Sequence, residues 1–179
     1  MPPIRLAELH PIIVHFPIAL LLASLALDLA AVIVRRASLV EGATWALLLG
    51  APAAVAALAS GWLSEHDVNT ATAPTLLHLH KVCAVLATVV FGTLFVLRLA
   101  WQSPRWLGWL QALFPRAGLL ANVPSWTRAL LPLAYATPLP RGVVIAYLML
   151  SIIGVALLAL TGYLGGALVY DHSVGLPIH

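Results

Sequence analysis

The sequence predicts an all-α membrane protein: a four-helix up-and-down transmembrane bundle forming a single domain over residues 1–179. Three observations predict it. Of the 179 residues, 62% are apolar and 8% are charged, whereas a soluble domain carries roughly 25% charged residues. Four stretches, at about 11–34, 43–63, 75–101 and 142–169, each hold the ~20 mostly apolar residues that a spanning helix needs. No series of short alternating strands, the mark of a membrane barrel, is present. Helices are the expected form because lipid offers backbone N–H and C=O groups no partner.

Segment one opens with His10-Pro11-Ile12-Ile13-Val14-His15-Phe16-Pro17. Proline suits a first helical turn, so Pro11 is expected to begin the helix. Pro17 removes a backbone donor and is expected to loosen the helix beside His15. The N-terminus lacks the basic region, short apolar region and small-residue cleavage site of a secretory signal, so segment one is expected to stay as a helix. The connection to segment two is short, from about Arg35 to Glu41, and that from two to three runs from roughly Ser64 to Pro74. The connection from three to four is long, from about Gln102 to Arg141, and mixes arginines with Trp106, Trp109 and Trp126. That mixture predicts one or two short helices on the cytoplasmic membrane surface.

The net charge of +3 does not point to nucleic acid, because the nine basic residues are divided by topology. Arg35, Arg36, Arg98, Arg105, Arg116, Arg128 and Arg141 fall on one side of the predicted bundle; Arg5 and Lys81 fall on the other. The positive-inside rule places the arginine side in the cytoplasm and both termini outside, for an inner (plasma) membrane protein. A disulfide within the chain is excluded, since Cys83 is the single cysteine. No nucleotide-binding loop, nucleophile elbow or Cys-x-x-Cys pair is present, so the sequence supports neither a kinase nor a soluble-type hydrolase and identifies no reaction.

All seven histidines fall at the non-cytoplasmic end: His10 and His15 at the start of segment one, His66 after segment two, His78 and His80 opening segment three, and His172 and His179 after segment four. Imidazole is the commonest protein ligand for metals and titrates near neutral pH. Small residues at helical spacing mark the faces on which membrane helices approach one another. Segment one carries Ala19, Ala23, Ala26 and Ala30; segment two Gly50, Ala54, Ala57 and Gly61; segment three Ala84 and Ala87; segment four Gly154, Thr161 and Gly165. Extending these stripes by a helical repeat reaches His15, His80 and His172, which are therefore expected to point inward. His78 lies about 200° from His80, and His10 about 140° from His15, on an ideal helix. Glu65, not His66, falls on the stripe of segment two. Asp28 is a carboxylate inside segment one, where ionisable groups are costly, and Cys83 lies about one turn from His80.

The motif His10-Pro11-x-x-Val14-His15-Phe16-Pro17-Ile18-Ala19-Leu20 resembles the opening of the four-helix membrane family called domain of unknown function 2231. Leu164-Gly165-Gly166-Ala167-Leu168-Val169-Tyr170-Asp171-His172 resembles its closing motif, and His80 followed by Arg98 resembles its third helix. The chain departs at Ser173, where the family usually has glycine, and in the length of the Gln102–Arg141 connection. The resemblance covers all four segments and implies partnership with electron-transfer proteins. Its motif histidines correspond to His10, His15, His80 and His172.

Three functions compete. The first is a small membrane redox protein that binds haem b through His15 and His80, with His172 serving a second site or hydrogen-bonding a propionate and His10 nearby, and transfers electrons. The second is a periplasm-facing copper, zinc or iron site on His15, His80 and His172. The third is a non-catalytic subunit or assembly factor, with a respiratory or cytochrome-containing membrane complex as its partner. In all three the bilayer is the solvent and nucleic acid is not a partner.

Overall fold

The computed structural model describes residues 6–65, 73–113 and 140–171, with side chains at 10–65, 73–101 and 140–171. They form α1 (Leu6–Val34), α2 (Ala37–Ser64), α3 (Pro74–Leu113) and α4 (Arg141–Tyr170), and no strand occurs among the described residues. Each helix contains a stretch long and apolar enough to cross a membrane: His10–Val34, Ala37–Ser64, Pro74–Trp101 and Arg141–Tyr170. Outward faces are apolar, as a lipid solvent requires. Ile33, for example, leaves 80% of its surface exposed.

Three boundaries differ from the sequence expectation. α1 begins at Leu6, so Pro11 lies inside the helix. Its missing N–H leaves one carbonyl in the preceding turn unbonded, a loss the helix absorbs. α1 and α2 are joined by Arg35 and Arg36 alone. Arg35 takes a left-handed conformation, φ 57°, and its amide donates to the Ala31 carbonyl at 2.8 Å, closing the helix end in the manner usually left to glycine. α3 continues past Trp101 to Leu113, so the first part of the expected Gln102–Arg141 loop, including Trp106 and Trp109, is helix. Hydropathy marks where an apolar span ends, not where backbone hydrogen bonding ends. Trp126, Arg116 and Arg128 lie outside the described residues.

The helices associate most densely as two pairs, α1 with α2 and α3 with α4, with sparser packing between the pairs. Glycines set the close approaches within them. A Cβ at Gly50 would come within 2.9 Å of Leu21 Cδ2, and one at Gly154 within 2.9 Å of Phe91 Cε2. Ser24 Oγ donates to the Ala43 carbonyl at 2.9 Å, fastening α1 to α2. Leu21, Leu47, Ala54, Phe91, Leu94 and Tyr147 form the core where all four helices meet.

The stripes on α2, α3 and α4 face inward as expected: Gly50, Ala54, Ala57, Ala87 and Gly154 are buried, and Ala84, Thr161 and Gly165 half-buried. The alanine stripe of α1 does not. Ala19 and Ala26 are exposed, while Pro17, Leu21, Ser24, Asp28 and Ala31 are buried. Lipid tolerates a methyl group but makes a carboxylate costly, and the Ser24 hydroxyl finds its acceptor on α2. Ser24 and Asp28 therefore take the inward face, which turns Ala19 and Ala26 out and leaves Ala23 and Ala30 half-buried.

Asp28 forms an ion pair with Arg98 of α3 across the bundle. The Arg98 guanidinium lies 5.0 Å from the centroid of the Tyr147 ring, which packs 5.3 Å from Trp101. Sequence position groups Arg98 with the flanking arginines of the cytoplasmic side, but its side chain points into the core and is 7% exposed. Removing one partner of such a buried pair costs about 3–5 kcal/mol, because it strands the other.

Candidate functional site

A cavity of about 490 Å³ opens among the four helices at the end where α1 and α3 begin and α2 and α4 finish. His10, His15 and His80 line it, together with Gly61 and Gly165, and the Lys81–Glu65 ion pair stands at its wall. That pair is about one-third exposed and joins α3 to the end of α2. Exposed pairs of this kind contribute about 0–1 kcal/mol.

His10 and His80 are held in the same manner by different neighbours. His80 Nδ1 lies 2.9 Å from the Thr161 carbonyl of α4. A carbonyl only accepts, so Nδ1 carries the proton. His10 Nδ1 lies 2.8 Å from Ser60 Oγ of α2, and the Ser60 hydroxyl donates to the Ala57 carbonyl at 2.8 Å. With that proton committed, Ser60 accepts from His10, and Nδ1 again carries the proton. In each neutral ring the free lone pair is then on Nε2. Neither Nε2 has a hydrogen-bond partner among the described residues. An outer partner that fixes the tautomer in this way is the arrangement found behind ligating histidines.

Each ring also rests against a glycine of the helix that holds it. A Cβ at Gly61 would lie 3.0 Å from His10 Cε1, and one at Gly165 would lie 3.1 Å from His80 Cε1. Gly165→Val is accordingly expected to push the His80 ring off the Thr161 carbonyl. The ¹⁵N ring shifts of His80 should show the Nδ1–H tautomer in the parent protein and its loss in the variant. Gly162→Val, where nothing lies within 4 Å of the added Cβ, should leave the tautomer unchanged.

The remaining candidates are placed differently. His15 borders the cavity, but its side chain is exposed and its ring N–H donates to the Pro11 carbonyl of its own helix. The inward position expected for His15 belongs to His10, because Ser24 and Asp28 turn the opposite face of α1 toward the core. His78 is exposed. His66, His172 and His179 lie outside the described residues. Among those described, no three His, Cys, Asp or Glu side chains gather as a metal-binding group, and Cys83 is a buried free thiol.

Sequence spacing explains why His10 and His80 reach the same cavity. Asp28 follows His10 by eighteen residues, and Arg98 follows His80 by the same eighteen. Eighteen residues are about five full turns and a rise of ~27 Å, so each pair shares one helix face. α1 and α3 run in the same direction. Contact between Asp28 and Arg98 therefore puts His10 and His80 at one depth, while His15 lies about 7.5 Å deeper and on another face. The doubled interval is present in the sequence, but the position of Arg98 near the end of an apolar span resembles that of a flanking arginine.

These features define a four-helix membrane protein with a paired-histidine cavity at one end. The chain belongs to the family described as predicted membrane protein, DUF2231, whose match spans residues 7–177. Neither a curated protein nor a solved structure matches the chain.

Proposed function

We propose that this protein is a small membrane redox protein that holds haem b in the cavity, with Nε2 of His10 and Nε2 of His80 as iron ligands. The matched tautomers carry this reading: two imidazoles on opposing helices, each fixed through Nδ1–H and each with a free Nε2. Two protein donors suffice for haem, whose macrocycle supplies the other four. A structural or catalytic zinc site calls on three or four protein donors, more than the described residues bring together. Gly61 and Gly165 keep the flanks of both rings clear, and the volume is that of a cofactor site. Haem, when bound, supplies a one-electron iron couple. The protein's own part is to orient the two imidazoles, exclude water and set the polarity around them. The partner class is a respiratory or cytochrome-containing membrane complex. An absorption spectrum with metal analysis on detergent-purified protein tests the reading. A Soret band with one iron per chain is expected. Colourless protein with stoichiometric copper, zinc or iron would replace haem with an ion site in which His172 or His15 adds a donor. Protein with neither would leave the assembly-subunit role.

We further propose an inner-membrane location with the histidine cavity facing the periplasm. With Arg98 buried in the bundle, Arg35, Arg36, Arg105, Arg116, Arg128 and Arg141 still outnumber Arg5 and Lys81, the asymmetry that the positive-inside rule reads as cytoplasmic. In a Cys83→Ala background, Ser38→Cys should label only from the cytoplasm and Tyr170→Cys only from outside. The reverse pattern would invert the protein.

A further inference from the structure

We propose that the Asp28–Arg98 ion pair is the positioning element of the histidine site, setting the separation and relative depth of His10 and His80 from about 27 Å away. The inference rests on the proposed site for its ligand, but its structural part stands independently.

Each histidine is secured inside its own helix pair, His10 to Ser60 of α2 and His80 to Thr161 of α4. Nothing in those two bonds fixes one pair against the other, and packing is sparser between the pairs than within them. Glu65–Lys81 and Asp28–Arg98, both among the described residues, are ion pairs that cross the gap. Glu65–Lys81, at the cavity, is about one-third exposed on both sides, whereas the Asp28 and Arg98 side chains are 9% and 7% exposed. Water competes for the first and not for the second, so the buried pair is the rigid tie. Arg98 is further confined by the Tyr147 ring of α4, which fixes its guanidinium relative to the second helix pair. α1 is one continuous helix from Asp28 to His10, so a slip of α1 against α3 at Asp28 is carried along the helix axis toward His10, and the eighteen-residue intervals keep each pair on one face.

The test uses the full-length protein in lipid nanodiscs, in a Cys83→Ala background with spin labels at Ile12→Cys and Leu79→Cys. These sites are 69% and 47% exposed and flank His10 and His80. Asp28→Leu and Arg98→Leu should each shift the label-to-label distance by several ångströms, up to one helical turn of about 5.4 Å, or broaden its distribution. The charge-swapped double variant Asp28→Arg with Arg98→Asp should return it toward the parent value. A second label pair within α1 and α2, at Ile12→Cys and Trp62→Cys, should not move. If a leucine variant fails to insert, Asp28→Asn keeps the shape, removes the charge and should give the same shift. An unchanged distance in the single variants overturns the proposal. So does an equal change in the α1–α2 distance, which marks general loosening, or failure of the swap to restore the distance. The haem spectrum is read on the same samples, with high-spin character expected in the single variants and recovery in the swap. A distance that responds in protein that never binds haem would sink the haem reading and leave the positioning role intact.

Discussion

His10→Ala and His80→Ala are each expected to strip haem from the purified protein, while His15→Ala and His78→Ala retain it. Loss of an outer hydrogen-bond partner lowers metal affinity about 10–100-fold, and loss of the ligand itself should exceed that, since water cannot replace an imidazole in a largely apolar cavity. Ser60→Ala separates the two effects. It removes the acceptor that fixes the His10 tautomer, so a loss within the 10–100-fold range of an outer partner is expected, with haem still bound at high concentration. The haem-to-protein ratio and the Soret position report all five variants. Retention of haem by His10→Ala together with its loss from His15→Ala would make His15, not His10, the ligand from α1.

Gly154→Leu and Gly50→Leu are expected to be the most destabilising substitutions at the helix seams. At Gly154 the first added carbon already meets Phe91 Cε2 at 2.9 Å and Val90 Cγ1 at 3.0 Å; at Gly50 it meets Leu21 Cδ2 at 2.9 Å. Phe91 and Leu21 are 2% and 0% exposed, so neither can swing away. Overpacking of this kind costs typically about 1–3 kcal/mol and sometimes more. Gly92→Leu adds the same side chain where nothing lies within 4 Å of its Cβ, and should leave the unfolding midpoint in mixed detergent nearly unchanged. A similar fall at Gly92 would mean that leucine is tolerated poorly everywhere, and the seam assignment would fail.

Apolar length and scarce charge determine by themselves that this chain forms four spanning helices, because lipid enforces internal backbone hydrogen bonding along any segment that crosses it. Stripes on α2, α3 and α4 were legible for a related reason: Gly50, Gly154 and Gly165 are useful only where another helix or a ring comes close. His80 follows directly from the stripe it shares with Ala84 and Ala87. α1 was ambiguous, since alanine serves equally well against lipid and against protein. Its rotation was decided by Ser24 and Asp28 finding Ala43 and Arg98, partners that no local pattern can supply. That rotation exchanges His15 for His10. The pairing of Asp28 with Arg98, the Nδ1–H tautomers of His10 and His80, and the cavity between them are likewise tertiary facts, for each depends on which side chains from distant segments meet across the bundle. The sequence alone determined the helices and gathered the histidines at one end. Among the described residues, only the packed structure decides that His10 and His80 are the ones held by neighbouring helices, because helix rotation is a choice among faces of similar apolarity that is settled by where buried polar groups are satisfied.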